Sequence, residues 1–149
     1  MGNGFAGKTV MSDDLTTLDT NILFYSVDVD AGVRHEKSAR IVEKAVKEGS
    51  CVLTLQALSE FFFASTRKGK ISLTTAGEQV SNWMTFFPVV HAQPSVLPKA
   101  ISAVKDHHLA FWDAFLWATA KEAGIAKILT EDFQHEREIG GVLYVNPFL

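Results

Sequence analysis

Short runs of strand-forming residues at 15–19, 51–55, 89–91, 127–130 and 142–145 are separated by segments with helical spacing. The run at 51–55 is apolar and short, without the alternation of polar and apolar residues that marks a sheet with one face in water. Such strands are buried on both faces. Strands that alternate with helices pair in parallel, because each helix carries the chain back across the sheet. The expected fold is therefore α/β in three layers, a central parallel sheet of four to five strands flanked by helices. The 149-residue chain is long enough for one such domain with a real core.

The helices expected between the strands cover 22–27, 33–48, 56–68, a segment from Thr74 or Thr75 to Phe87, 94–108 and 112–123. In the second, Ala39, Val42, Ala45 and Val46 read as the inner stripe. In the fourth it is Val80, Trp83, Met84 and Phe87, with Thr74 or Thr75 as the cap. In the fifth it is Leu97, Ile101 and Val104. The third is apolar nearly all round. Residues 1–14 form a loose leader to a domain spanning 15–149. Gly2 to Thr9 matches the phosphate-loop pattern letter for letter, but no strand precedes it and a poor helix start follows.

Several classes of function fall away on composition. Cys51 is the only cysteine, so there is no internal disulfide and no zinc pattern, and its setting is that of a small buried strand residue. A net charge of −3 speaks against nucleic-acid binding driven by bulk charge. No apolar run reaches the ~18 residues of a membrane helix. A basic segment followed by an apolar one is lacking at the N-terminus, so a cytoplasmic protein is expected.

Four acids sit where acids are costly. Asp19 ends the first strand and is followed by Thr20 and Asn21. Glu60 precedes three phenylalanines. Asp113 lies between Phe111-Trp112 and Ala114-Phe115. Asp132 follows the fourth strand in Thr130-Glu131-Asp132-Phe133. Each has a simpler explanation: Asp19 as a helix cap, Glu60 as a partner of Arg67 or Lys68 or as a side chain pointing out through a gap, Asp113 as an acid at a helix N-terminus, Asp132 as a turn residue. Convergence of all four explains them together. Two carboxylates ~4 Å apart repel by ~4 kcal/mol at an effective dielectric of about 20, so four would need cations. An all-oxygen site suits Mg²⁺ or Mn²⁺, and the matching chemistry is metal-assisted phosphodiester hydrolysis.

The segments Leu18-Asp19-Thr20-Asn21-Ile22-Leu23, Leu58-Ser59-Glu60-Phe61-Phe62, Phe111-Trp112-Asp113-Ala114 and Leu129-Thr130-Glu131-Asp132-Phe133 resemble the motifs of PIN-domain nucleases. The nearest likeness is to the VapC toxins of toxin–antitoxin pairs, over residues 15 to 149. The resemblance implies a Mg²⁺- or Mn²⁺-dependent endoribonuclease acting on transfer or ribosomal RNA. It also implies a homodimer and a VapB-type antitoxin that binds DNA. Asp19, Glu60, Asp113 and Asp132 would form the acidic metal site, with Thr20 or Asn21 orienting an acid or a water and Thr130 supporting the last acid. Many family members carry a second acid two positions beyond the first in the last motif. Here Glu131 and Asp132 are adjacent, which leaves open which of them is the fourth acid.

Arg67, Lys68 and Lys70 read as a solvated helix end or as phosphate contacts, and His107 and His108 as helix-end cations or RNA contacts. The three tryptophans read as core or dimer surface. Asp28-Val29-Asp30 has the D-x-D form of aspartyl-nucleophile phosphohydrolases, but in a turn. That enzyme class and a non-catalytic PIN-like module binding RNA or protein are the alternative functions.

Overall fold

The computed structural model describes residues 15–67 and 69–149. The leader, with its phosphate-loop pattern, and Lys68 lie outside the described residues. Six strands and six α-helices follow one another: β1 (Thr16–Leu18), α1 (Thr20–Val27), α2 (Val33–Glu48), β2 (Leu53–Thr54), α3 (Leu55–Arg67), α4 (Leu73–Phe86), β3 (Val89–Val90), α5 (Val96–His107), α6 (Phe111–Glu122), β4 (Lys127–Leu129), β5 (Glu138–Ile139) and β6 (Val142–Val145). A single 3₁₀ turn, Val29–Ala31, links α1 to α2.

β1, β4, β6 and β5 form one sheet in that order, and β2 and β3 form another. A parallel bridge between Thr16 and Cys51 joins the two. Thr16 N–H donates to Ser50 O at 3.0 Å, and Val52 N–H donates to Thr16 O at 2.9 Å. The strands therefore run β3-β2-β1-β4-β6-β5 across the molecule. Every pairing is parallel except β5 with β6. That antiparallel strand was not expected from the sequence. Its signal is the Gly140-Gly141 pair, whose φ values of 55° and 89° build a two-residue hairpin turn that side chains with a Cβ resist.

Alternation along the short strands divides the core in two. Val52, Ile128, Val142 and Tyr144 pack with α5 and α6, whereas Leu18, Leu53 and Leu129 pack with α1, α3 and α4. Neighbours such as Ile128 and Leu129 serve opposite faces, as the two-residue period of a strand requires. The result is the expected three-layer arrangement, with a sheet covered on both sides. Cys51 is buried as expected, and burial pushes its thiol up to about 12, so it stays protonated.

The helical stripes need correction. Val46, Met84, Leu97 and Ile101 were expected inside and are exposed. In α2 the buried residue is Ser38, with Ile41, Val42 and Ala45 packed against the core. In α5 the buried set is Val96, Ala100 and Ala103, and α6 meets it with Ala114, Leu116, Trp117, Ala118 and Ala120. Small side chains let two helices approach closely, so the larger Leu97 and Ile101 are turned outward. Hydrophobicity alone favours the larger residues; packing distance favours the smaller ones. Phe62 and Phe63 of α3 are likewise exposed.

The cap of α4 is Ser72, not Thr74 or Thr75: its Oγ accepts from Thr75 N–H at 3.1 Å and donates to Thr75 Oγ1 at 3.0 Å. Ser72→Ala is expected to cost about 1 kcal/mol in urea unfolding. Thr74→Ala should stay within about 0.5 kcal/mol of the parent. Equal losses at the two positions would contradict this assignment.

Candidate active site

Parallel strands bring their C-terminal ends to one edge of the sheet, the edge where α/β proteins hold ligands. Asp19 follows β1 there, and residues 130–132 follow β4. α3 starts from the same edge, directly after β2. α6, which leads into the foot of β4, has its N-terminus at this edge too. Topology thus places all four acids of interest on a common side.

Asp19 is the anchored member. Its N–H donates to Leu129 O at 2.9 Å, which ties the end of β1 to the end of β4. Its carboxylate caps α1, with Oδ1 accepting from Thr20 N–H at 2.7 Å. Oδ2 accepts from the Thr130 hydroxyl at 2.8 Å. The capping role suggested by the sequence is real, and it coexists with a place among the other acids. Asp19 is 7% exposed, the only buried acid among the described residues. Burial pushes its carboxyl up from the ordinary 3.8 to about 6. The bonds from Thr130 and Thr20 offset part of that rise, and the charges of Asp132 and Asp113 add to it.

The Thr130 hydroxyl uses its full capacity. It accepts from Asn21 Nδ2 at 3.3 Å and from Asp132 N–H at 3.1 Å, while its one proton goes to Asp19. Asn21 also donates to Asp132 Oδ2 at 3.0 Å, and its Oδ1 accepts from Glu131 N–H at 3.4 Å. Thr20 Oγ1 donates to Glu60 Oε1 at 3.2 Å. Gln56, one turn earlier on α3, has its amide nitrogen 3.5 Å from the same oxygen and 3.1 Å from Trp112 O.

Asp113 stands half-buried in the first turn of α6, the helix-start position considered from the sequence. Partial burial raises its carboxyl, and the charges of Asp132 and Glu60 raise it further. Asp19, Asp113, Asp132 and Glu60 are thus drawn into one charge-coupled group. Among the described residues, none of the four forms an ion pair with a basic side chain. One expectation needs correction, since Glu60 and Asp132 are exposed rather than buried. Glu60 sits on the outer side of α3, whose buried face is Ala57, Leu58, Phe61 and Ser65. Among the described residues, no three acidic, histidine or cysteine side chains are gathered closely enough to hold an ion. The acids form a loose group, not a closed ligand shell.

Glu131 is engaged elsewhere. It accepts from Tyr25 OH at 2.6 Å and pairs with Arg34 Nε at 2.5 Å. Its partial burial opposes ionisation, but the Tyr25 and Arg34 contacts outweigh this and hold its carboxyl below the ordinary value. Tyr25, Arg34 and Gln56 were not singled out from the sequence. Gln56 carries a local signal, four residues before Glu60 on one helix face. Tyr25 and Arg34 are about a hundred residues from Glu131 and carry none.

The basic candidates are placed elsewhere. Arg67 is exposed, with its guanidinium 5.4 Å from the centre of the Phe63 ring. Lys70 pairs with Asp28 at 3.4 Å and Asp30 at 3.5 Å, which accounts for the D-x-D pair as well. His108 ends α5 in the left-handed region, with φ of 57°. The His107 carbonyl accepts from Arg137 Nη2 at 3.2 Å. Trp83 and Trp117 are buried, and Trp112 is 61% exposed.

A family model for the PIN domain matches residues 16–138, and the chain belongs to that family. Among solved structures, it is similar to the sarcin-ricin-loop-cleaving toxin VapC20 of Mycobacterium tuberculosis, with 17% identity over 76% of this chain and 86% of that one, at a TM-score of 0.59. It is also similar to a chain of a toxin–antitoxin complex from Klebsiella pneumoniae, with 17% identity over 89% and 97% of the two chains, at 0.62. A chain of VapBC2 from Rickettsia felis, bound to a promoter DNA fragment, aligns at 10% identity over 87% and 96%, at 0.65. A search of curated proteins by sequence finds no match.

Asp19 is expected to govern the pH dependence of stability. Below about pH 3.8 it is protonated in both the folded and the unfolded chain and costs nothing. As pH rises through about 6, the fold must carry a buried charge that the unfolded chain solvates freely, and stability falls. The full cost is about 3 kcal/mol. Asp19→Asn should therefore stabilise the metal-free protein at pH 7.5 by about 1–2 kcal/mol. The gain falls short of the full cost because the new amide meets a Thr130 hydroxyl that already accepts two bonds. Thermal melts without divalent ions should show the advantage vanishing at about pH 5 and turning into a deficit of about 1 kcal/mol by about pH 4.

Proposed function

We propose that this chain is a metal-dependent endoribonuclease of the VapC kind, a toxin restrained by a protein antitoxin. The observation that carries the reading is the charge-coupled group of Asp19, Glu60, Asp113 and Asp132, with no basic partner among the described residues. Its donor set is all oxygen, and the neighbouring carboxylate charges raise the carboxyls of Asp19 and Asp113. Those features fit a hard divalent cation, Mg²⁺ or Mn²⁺. When bound, such an ion supplies an activated water and offsets charge on the scissile phosphate and the leaving oxygen.

The chain's own groups set the frame for that chemistry. Thr20 N–H and Thr130 hold the Asp19 carboxylate at both oxygens. Asn21 holds Asp132, and the Thr20 hydroxyl with Gln56 holds Glu60. Asp132 is the fourth acid in this reading, because Glu131 is occupied by Tyr25 and Arg34 and ties the loop after β4 to α1 and α2. Engagement of both Asp19 oxygens disfavours that residue as a covalent nucleophile. Arg67 and His108 stay in this reading as phosphate contacts, as does Lys68, which lies outside the described residues.

Similarity to structures named as toxin–antitoxin complexes supports a VapB-like, DNA-binding antitoxin as partner. The outward Phe62, Phe63, Leu97 and Ile101 offer apolar surface for it or for a homodimer. Structured RNA, transfer or ribosomal, is the substrate class. Among the described residues, no helix is long and apolar enough to cross a membrane, and the cytoplasm, where such RNA resides, is the compartment proposed.

Purified protein should cleave structured RNA with Mg²⁺ or Mn²⁺ and stop on chelation. Asp19→Asn and Asp132→Asn should each lose about a hundredfold or more in rate. Glu131→Gln should stay within about tenfold of the parent. Undiminished cleavage by Asp19→Asn, or cleavage indifferent to chelation, would overturn the mechanism. RNA binding without cleavage would leave the non-catalytic module.

A further inference from the structure

A cavity of about 370 Å³ opens beside the acids, at the C-terminal ends of β2 and β3. Gln56 and Ser59 of α3, Trp112 and Phe115 of α6, Thr54 and His91 are part of its wall. Its size falls in the ~300–1,000 Å³ range of small-ligand sites. It adjoins the acidic group directly: Ser59 precedes Glu60, and Trp112 precedes Asp113. Gln56 is the shared wall. Its amide nitrogen faces Trp112 O and Glu60, which fixes the orientation of the amide, since only a donor suits two acceptors. Gln56 Oε1 is buried and has no hydrogen-bond partner among the described residues. An acceptor left in that state costs free energy, and a small turn of the Gln56 side chain toward the cavity would let a ligand donor meet it.

The remaining walls describe what such a ligand looks like. Trp112 is an indole left largely in solvent, braced edge-on by Phe111 at 4.9 Å and Phe115 at 5.6 Å between ring centres. A braced, exposed aromatic plane is a stacking platform. Neither lysine nor arginine lines the cavity among the described residues, so it suits an uncharged group rather than a phosphate. A flat, neutral ring with an N–H donor on its edge, attached to a phosphate at the neighbouring acids, is a nucleobase. We infer that this cavity is a base-binding subsite for a nucleotide flanking the scissile phosphate. Trp112 stacks on the base, and Gln56 Oε1 accepts from the exocyclic amino group of adenine or cytosine, where uracil presents a carbonyl oxygen that Oε1 repels. This inference rests on the nuclease reading above and adds to it a preference that the acids themselves cannot provide.

The test measures binding, so that it does not depend on cleavage. Asp19→Asn protein is titrated with oligoadenylate, oligocytidylate and oligouridylate while tryptophan emission is followed. The amino-bearing oligomers should quench more strongly and bind more tightly than oligouridylate. Adding Trp112→Leu should remove most of the quench and weaken binding of every oligomer about tenfold. Adding Gln56→Met should weaken the amino-bearing oligomers about tenfold and leave oligouridylate unchanged. Trp112 is exposed, so its replacement leaves the fold intact even if the Gln56 variant does not fold. Affinity indifferent to Trp112→Leu, or a quench that persists in it, would overturn the subsite. A protein that cleaves with metal but ignores these substitutions keeps the nuclease and loses the subsite. One that quenches as described but never cleaves keeps the subsite and loses the nuclease.

Discussion

One desolvated carboxylate sets the terms for the rest of this structure. Asp19 is held at the sheet edge by its own N–H to β4, by a helix start on one oxygen and by a threonine hydroxyl on the other. Those bonds return part of what burial takes away, but not all of it, and the carboxyl stays raised, at about 6. A fold that keeps such a group unpaired gives up stability at neutral pH. Functional sites are where proteins accept that kind of cost.

The small polar residues around Asp19 work by exhausting one another's hydrogen-bonding capacity. Thr130 can donate once and accept twice, and it does both. Asn21 spends its nitrogen on Thr130 and Asp132 and its oxygen on Glu131 N–H. Because the Thr130 hydroxyl is used in full and both Asn21 amide protons are engaged, the residues after β1 and those after β4 hold each other in one register. Glu131 adds a longer tether, through Tyr25 and Arg34, from the same loop to α1 and α2. A serine at position 130 keeps the capacity; a valine keeps only the shape.

Much of this was legible in the chain. The alternation of strands with helices gave away the parallel sheet, because each helix returns the chain across the sheet before the next strand. The acids stood out because each interrupts an apolar context. What could not be read were directions and distances. Glu60 lies in an apolar helix, yet α3 has an exposed face that carries Phe62, Phe63 and Glu60 alike. Val46, Met84, Leu97 and Ile101 are hydrophobic enough for a core, but smaller neighbours permit closer packing and take the inner positions. The Glu131 contacts join residues about a hundred positions apart, and no local pattern encodes them. β5 was within reach through its two glycines.

The two sheets meet through one bridge, Thr16 with Cys51, and that seam runs between the parts of the acidic group. Asp19 and Asp132 belong to the four-stranded side, Glu60 and Gln56 to the helix that springs from the two-stranded side. Few ladder bonds fix the gap between the halves, so its width is governed by softer side-chain packing. The Thr20 hydroxyl on Glu60 and the packing of α1 against α3 hold the two sides of the site at their present spacing. That spacing lets the acids feel one another's charge, while among the described residues no three of them are gathered closely enough in this arrangement to ligate one ion.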